Sequence, residues 1–284
     1  MALFNILQEG DVQIRGYPVR LPLDLLLVFS ANPEDYTARG RLITPLKDRI
    51  GSEIRTHYPA EVETGVAITR QEAWTDRDTP VLIPGWLRET VERVAFEARS
   101  DHRIDGQSGV SQRLPITLLE LAVSAAEQRG LRLGEECPAV RPLDLAAGLP
   151  AITGKLELDY EGEIKGAEGL AREIIARATA RVFQARVPEQ LSRDVVDWFE
   201  QDNVFRIPAA TRACDLVELF AGVPGLLDCA RSLCEGETRE ELAAAAEFVL
   251  DGLHARRQIG RSLEHGYTAP EPEPLPGAAR RGWN

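Results

Sequence analysis

Alternating and short apolar runs mark the first part of the chain. In Val12-Gln13-Ile14 apolar and polar residues alternate, Arg15-Gly16 can turn, and residues 17–21 continue extended. This pattern predicts a β-hairpin, and Pro18 would confine its strand to a sheet edge. The apolar run at residues 23–29 is bounded by Pro22 and by Asn32-Pro33 and is too short for a buried helix. It therefore predicts a buried central strand.

Helical spacing of apolar residues begins at about residue 60. The predicted helices span residues 60–75, 86–99, 112–129, 160–186, 188–200, 212–234 with an interruption at 222–225, and 238 to about 258. In the third helix Ser111 is a fair N-cap, and one face carries Leu114, Leu118, Leu121, Ala122 and Ala125. The helix over 160–186 places Ile164 on its apolar stripe, and Thr238 with Glu241 predicts a capping box for the last helix.

Composition and charge narrow the possible partners. The chain has 284 residues, of which 44% are hydrophobic and 27% charged, as in a folded soluble protein. Its net charge of -12 repels phosphate backbones, so we expect no nucleic-acid partner. No run approaches the roughly 18 apolar residues of a membrane span, and the N-terminus resembles no signal peptide. We therefore expect no membrane partner and a cytoplasmic location.

The cysteines and histidines do not predict a metal site. Cys137, Cys214, Cys229 and Cys234 form no CxxC pair, and the four histidines are scattered. Reduced structural cysteines are the simplest interpretation. An enzyme with a cysteine nucleophile is a further hypothesis, but no histidine lies close in sequence to the helical Cys214 or Cys229.

Three polar residues are candidates for a ligand site. Asn32 follows the predicted strand, where open α/β sheets place binding groups, although an asparagine before proline is commonly only a turn. Arg49 lies in a charged stretch that is either a solvated face or a projecting arginine that stabilises a transferring phosphoryl group. Arg113 lies in the first turn of a predicted helix, where a cation is unfavourable next to the positive end of the helix dipole. Its presence there suggests a nearby anion; the alternative is an exposed arginine without a partner.

Taken in order, these segments resemble the ATPase subunit of magnesium chelatase and its bacterial relatives, which are AAA+ proteins. Residues 3–16 resemble the helix and hairpin that follow the Walker B strand, and residues 27–33 resemble the sensor-1 strand with Asn32 at the sensor position. Residues 44–51 resemble the Leu-x-Asp-Arg-Phe motif, with Arg49 as the arginine finger and Ile50 in place of the aromatic residue. Residues 108–113 resemble the start of the sensor-2 helix, with Arg113 as the sensor. The resemblance is specific over about residues 3–59 and looser to about 130.

The resemblance implies a fold and a division of the chain. The implied fold is an α/β remnant of an AAA+ core, consisting of the hairpin and the sensor-1 strand, followed by a mainly α-helical lid and a helical C-terminal extension. The implied parts are the core remnant at 1–59, the lid at 60–150, the extension at 151–267 and a disordered tail at 268–284. Because one strand without its neighbours leaves backbone groups unpaired, we expect residues 1–60 to pack poorly in isolation.

The resemblance also implies an activity that this sequence does not carry alone. ATP and Mg²⁺ would be the cofactors, other AAA+ subunits in a ring the partners, and an unidentified client protein the target. A phosphate-binding loop requires Gly-x-x-x-x-Gly-Lys-Ser/Thr, yet at Gly154-Lys155 the first glycine is misplaced and Leu156 replaces the hydroxyl. No Walker B run is present either. We expect an N-terminally truncated subunit that cannot hydrolyse ATP by itself; the alternative is a non-catalytic helical adaptor in a mixed ring.

Overall fold

The computed structural model describes residues 11–20, 26–30, 50–105, 109–208, 210–262 and 264–270. The chain divides into two compact units, Met1–His57 and Tyr58–Asn284. The described residues are mostly helical, and their strands form two separate two-stranded antiparallel sheets. Among the helices described, none is both long and apolar enough to cross a membrane.

The first unit contains the predicted hairpin. Strand β1 (Asp11–Ile14) pairs antiparallel with β2 (Tyr17–Arg20), with Ile14 opposite Tyr17. The two loop residues both take positive φ, 50° at Arg15 and 85° at Gly16. This is the backbone of a type I′ turn, whose twist matches that of the flanking strands. The hairpin prediction is confirmed.

The predicted buried strand at 23–29 is not found in its described part. Residues 26–30 are not in a strand, and Leu26 and Val28 are 91% and 83% exposed. A strand needs a neighbour for its hydrogen-bond ladder, and none of the described segments pairs with these residues. Residues 50–57 are exposed as well, and the poor packing expected for residues 1–60 stays a prediction.

The second unit is built from helices around one apolar core. Its helices are α1 (Val62–Glu72), α2 (Gly85–Arg99), α3 (Arg113–Leu133), a 3-10 helix (Pro142–Gly148), α4 (Leu149–Thr153), α5 (Tyr160–Lys165), α6 (Ala167–Arg186), α7 (Glu189–Glu200), α8 (Ala213–Phe220), α9 (Leu226–Arg231) and α10 (Arg239–Ala255). Strands β3 (Gly260–Ser262) and β4 (Gly266–Thr268) form a hairpin after α10. The sequence pattern did not predict this hairpin, the 3-10 helix or α4.

Aromatic side chains join α2, α6 and α10 at the centre of the core. Trp86 stacks on Phe248 with ring centroids 4.3 Å apart, and Phe183 meets Phe248 edge-on at 6.3 Å. Gly252 lies so close to Phe183 that a Cβ would overlap the ring. The missing side chain thus lets α10 approach α6. The predicted division of this unit into 60–150 and 151–267 stays a prediction, although α2 and α6 pack together across it.

Several helix ends differ from the predicted ones because of glycine and N-cap residues. The single helix predicted over 160–186 is broken by Gly166, which takes φ 82°, and Ile164 on α5 is 73% exposed instead of lying on a buried stripe. Thr238 caps α10 by accepting a hydrogen bond from the Glu241 amide at 3.2 Å. The Glu241 carboxylate, however, accepts from the amides of residues 235 and 236, so only half of the predicted capping box forms.

Helix α3 is longer than predicted. It begins at Arg113 and extends to Leu133, where Gly134 takes φ 71° and donates its amide to the Gly130 carbonyl. This is a left-handed helix cap, for which glycine has no Cβ penalty. The predicted face is correct at Leu114, Leu118 and Ala122, while Leu121 and Ala125 are half-buried at its edge.

Candidate functional site

Of the three predicted site residues, one belongs to the part of the chain that the structure describes. Asn32 and Arg49 lie outside the described residues, and their roles stay predictions. Arg113 is described, so the candidate site is built around the start of α3.

Arg113 is the first residue of α3, and its side chain is exposed. The segment before it turns at Gly109, which takes φ 66°, and the Ser111 hydroxyl accepts a hydrogen bond from the Arg113 amide at 3.2 Å. The Leu114 amide donates to the Ser111 carbonyl at 3.0 Å and Pro115 has no N–H, so none of the first three residues of α3 has a free amide for a ligand. The exposed Arg113 guanidinium is therefore the group here that suits an anionic ligand such as a phosphate.

A second cation, Lys155, lies at the same helix start. Its Nζ donates to the Thr117 hydroxyl at 2.5 Å and to the Arg113 carbonyl at 3.3 Å. Burial lowers the pKa of Lys155, and the charge of Arg113 lowers it further, while Glu120 acts in the opposite sense. A bound anion would lower the repulsion between these two cations.

The position of Lys155 differs from that of a phosphate-loop lysine. The residue before it, Gly154, is the C-cap of α4, whereas a phosphate-binding loop leads into the N-terminus of a helix. Lys155 is 42 residues from Arg113 in sequence. The sequence pattern did not predict Lys155 as a neighbour of Arg113, because no local signal links the two.

Behind the start of α3 lies a buried carboxylate. Glu92 on α2 is 0% exposed. Its oxygens accept hydrogen bonds from the Thr69 hydroxyl of α1 at 2.9 Å and from the Gln112 amide group at 2.9 and 3.0 Å. Gly65 leaves room for this arrangement, since a Cβ there would overlap the carboxylate. The residue before Arg113 is thus anchored to two helices.

Arg99, the last residue of α2, holds the same segment from the other side. Its Nε donates to the Val110 carbonyl at 3.0 Å, and its Nη2 donates to the Gln112 side-chain oxygen at 3.0 Å. The guanidinium lies over the Tyr58 ring, 4.2 Å from the centroid. Burial lowers the pKa of Arg99, while Glu92 and Tyr58 act to raise it. We call Glu92, Thr69, Gln112, Arg99 and Tyr58 the Glu92 network.

Other chemistries find little support in the described residues. They contain no group of three or more His, Cys, Asp or Glu side chains that could hold a metal ion. Burial raises the pKa values of Cys229 and Cys234 to about 11, which leaves both thiols protonated and poorly nucleophilic near neutral pH. For Cys229, burial thus argues against the cysteine-nucleophile hypothesis.

Two surface depressions lie away from Arg113. One, of about 310 Å³, is lined by Arg129, Arg132 and Asp144 among others, and the other, of about 430 Å³, includes Trp74 and Asp76. Arg113 lines neither depression. Its guanidinium therefore belongs to an exposed surface and not to either of these two cavities.

Comparison with known proteins shows a partial similarity. Over 93 residues, 32% of this chain, the sequence is 34% identical to the magnesium-chelatase 38 kDa subunit of Cereibacter sphaeroides, of which 26% is covered. Over 86 residues, 30% of this chain, it is 31% identical to the subunit of the same name from Rhodobacter capsulatus, of which 23% is covered. The chain thus spans about a quarter of the length of these curated relatives. No family model and no solved structure matches it. The similarity supports a relationship to chelatase-like AAA+ proteins.

Proposed function

We propose that this chain contributes the lid and a helical extension to a chelatase-like AAA+ ATPase assembly, which couples ATP binding and hydrolysis to remodelling of a client protein. The partial similarity to the magnesium-chelatase 38 kDa subunits carries the proposal. The exposed Arg113 at the start of α3, with Lys155 beside it, supports it because both cations suit a phosphate-bearing ligand.

In this proposal each candidate residue has a separate task. Arg113 is the sensor that reports the nucleotide to the lid, and Lys155 adds positive charge at the same helix start. Asn32 orients the attacking water, and Arg49 enters the site of a neighbouring subunit in a ring to offset charge in the transition state. The described residues offer donors for phosphate oxygens but no cluster of carboxylates for Mg²⁺. The metal would be held by other parts of the assembly.

ATP turnover by this chain alone is not expected. The sequence contains no Gly-x-x-x-x-Gly-Lys-Ser/Thr loop, so the backbone cradle and the lysine that neutralise the triphosphate are missing from it. We propose that the triphosphate is held mainly by residues that this sequence does not contain.

A chimera tests the role of Arg113. A segment of a chelatase-type ATPase subunit that carries Walker A and Walker B is fused ahead of Leu3, and steady-state ATP hydrolysis is measured. Arg113→Ala should lower turnover at least about tenfold, which corresponds to about 1.4 kcal/mol of transition-state stabilisation. Arg132→Ala is the matched control, because Arg132 is an exposed arginine at the other end of α3. Equal turnover of the Arg113 variant and its parent would refute the sensor role.

The second candidate function is a non-catalytic helical adaptor in a mixed AAA+ ring. The missing phosphate-binding loop favours it, since such a chain can still donate Arg49 to an intact neighbour. The test adds the full chain to an intact chelatase-type ATPase paralogue from the same organism. An adaptor should change ATP turnover saturably, and Arg49→Ala should abolish the change. Unaltered turnover at saturating chain would rule the adaptor out.

A further inference from the structure

The segment from Gly109 to Gln112, which delivers the chain to Arg113, is held by polar side chains on both sides. We infer that Arg99 and Gln112 are positioning residues, which tie the beginning of the helical unit at Tyr58 to the start of α3 and thereby orient Arg113. The inference rests on the proposed function of Arg113 as a nucleotide sensor.

Gln112 is the central member, because its amide is used at both ends. Its nitrogen donates to both oxygens of Glu92, and its oxygen accepts from Arg99 Nη2. A glutamine can serve a carboxylate and a guanidinium together, since its side chain carries both a donor and an acceptor. Replacement by glutamate would present an acceptor to the buried carboxylate, and replacement by an apolar residue would serve neither partner.

Arg99 extends this chain of contacts to the beginning of the helical unit. Its guanidinium stacks on Tyr58, the first residue of the second unit, and its Nε donates a hydrogen bond to the Val110 carbonyl. Gly109 completes the contact, because a Cβ there would lie 2.5 Å from the Tyr58 hydroxyl oxygen. A displacement of the chain at Tyr58 therefore acts directly on Arg99 and on the backbone three residues before Arg113.

Each group in this path has a fixed geometry. Glu92 is fully buried and Thr69 is 3% exposed, and both lie on helices packed in the same unit. The buried carboxylate accepts three hydrogen-bond contacts from two donor groups, the Thr69 hydroxyl and the Gln112 amide nitrogen, and it resists rearrangement because each lost bond leaves a charge unsolvated. The contacts at Glu92 therefore hold Gln112 in place, while Tyr58, at the other end of the network, is the first residue of the second unit.

Hydrogen–deuterium exchange on the full chain tests the physical part of the inference without any nucleotide. Gln112→Glu should raise exchange in peptides covering residues 109–116 by about tenfold, the effect expected for losing hydrogen bonds to a charged group. Exchange in α6 and α10 should stay unchanged. Gln128→Glu is the matched control, because Gln128 is an exposed glutamine on the same helix. The exchanged pair Glu92→Gln with Gln112→Glu keeps the net charge, places the carboxylate beside Arg99, and should restore protection.

The exchange experiment has two outcomes against the inference. No change at 109–116 would show that the network does not hold the segment. A general rise that includes α6 and α10 would show that the residues only stabilise the fold. In either case the proposed function of Arg113 would be unaffected, because exchange is measured without ATP turnover.

A double-mutant cycle in the ATP-hydrolysing chimera tests the functional part. If Gln112 acts through Arg113, then Gln112→Glu lowers turnover in the parent but adds nothing in the Arg113→Ala background. Additive losses would overturn the positioning role, since a purely structural effect does not depend on Arg113. An Arg113→Ala variant with full turnover would instead overturn the sensor proposal and, with it, this role.

Discussion

A buried ion pair between Arg141 and Glu247 holds parts of the helical unit together, and its removal should lower the stability of the protein by a measurable amount. Arg141 is 1% exposed and Glu247 is 3% exposed. Arg141 Nε donates to Glu247 Oε2 at 2.7 Å, and the Leu143 amide donates to Oε1 at 3.1 Å. The pair connects the 3-10 helix with α10. Glu247→Ala would leave a buried guanidinium without its carboxylate and the Leu143 amide without its acceptor.

The size of the effect follows from burial. Removing one partner of a buried pair costs about 3–5 kcal/mol, because the remaining charge stays out of water. Burial raises the pKa of Glu247 and outweighs the opposite effect of Arg141, so desolvation works against the attraction within the pair. We therefore expect a loss near the lower end, about 3 kcal/mol. The apolar pair Arg141→Met with Glu247→Leu should fall within about 2 kcal/mol of the wild type, since neither charge then remains.

Urea unfolding followed by helical circular dichroism measures these differences. Glu189→Ala is the control, because Glu189 pairs with Arg256 on the surface and is 73% exposed. Exposed pairs contribute roughly 0–1 kcal/mol. If Glu247→Ala lost no more stability than this control, the argument from desolvation would be wrong. The same curves bear on the predicted domains: two separate transitions would support independent parts at 60–150 and 151–267, and one transition would oppose them.

Three further predictions concern other parts of the helical unit. In thermal unfolding, Gly65→Ala should destabilise the protein by at least about 1 kcal/mol, because the added Cβ overlaps a buried carboxylate. Gly169→Ala should instead stabilise the protein by roughly 0.5–1 kcal/mol, because its Cβ meets its nearest atom at 3.7 Å. The hydrogen bond from a neighbouring arginine lowers the pKa of Asp101, so the contribution of Asp101 to stability is present above about pH 4 and is lost as the pH falls. The unfolding midpoint of Asp101→Asn should therefore approach that of the wild type in acid. A constant difference between the two midpoints from pH 7 to 3 would contradict this. With iodoacetamide at pH 8, the exposed Cys137 should be labelled first and Cys229 last, because Cys229 is fully buried and burial raises its pKa to about 11. Equal labelling rates in mass spectrometry would count against this order.

The helices could be predicted where the local pattern decides the structure. The helix predicted at 188–200 is α7 (Glu189–Glu200), because apolar positions recur at helical spacing, and Val195 and Phe199 are buried. The interruption predicted at 222–225 is confirmed, since Gly225 takes φ 74° between α8 and α9. Such signals are local, because they depend on spacing and on residues that permit special backbone angles.

The features that the sequence did not predict depend on distant contacts. Lys155 meets the start of α3 through a turn 42 residues away, and the β3–β4 hairpin is anchored by a bridge between Phe205 and Tyr267. The predicted strand at 23–29 failed in its described part for the same reason. An apolar run becomes a strand only when a neighbour supplies the ladder, and periodicity carries no information about that neighbour.

The Glu92 network is another feature that depends on contacts between residues far apart in sequence. By pattern alone, Glu92 and Gln112 are polar positions that belong on a solvated face, yet the structure buries Glu92 completely and places Gln112 against it. Replacing a buried charge by a packed apolar residue is often neutral or stabilising, so stability is a weak reason for this arrangement. Directional bonds to Gln112 and Arg99 fix the course of the chain into Arg113 in a way that apolar packing does not. Orientation of that arginine is therefore the role that best accounts for a fully buried carboxylate at this place in the fold.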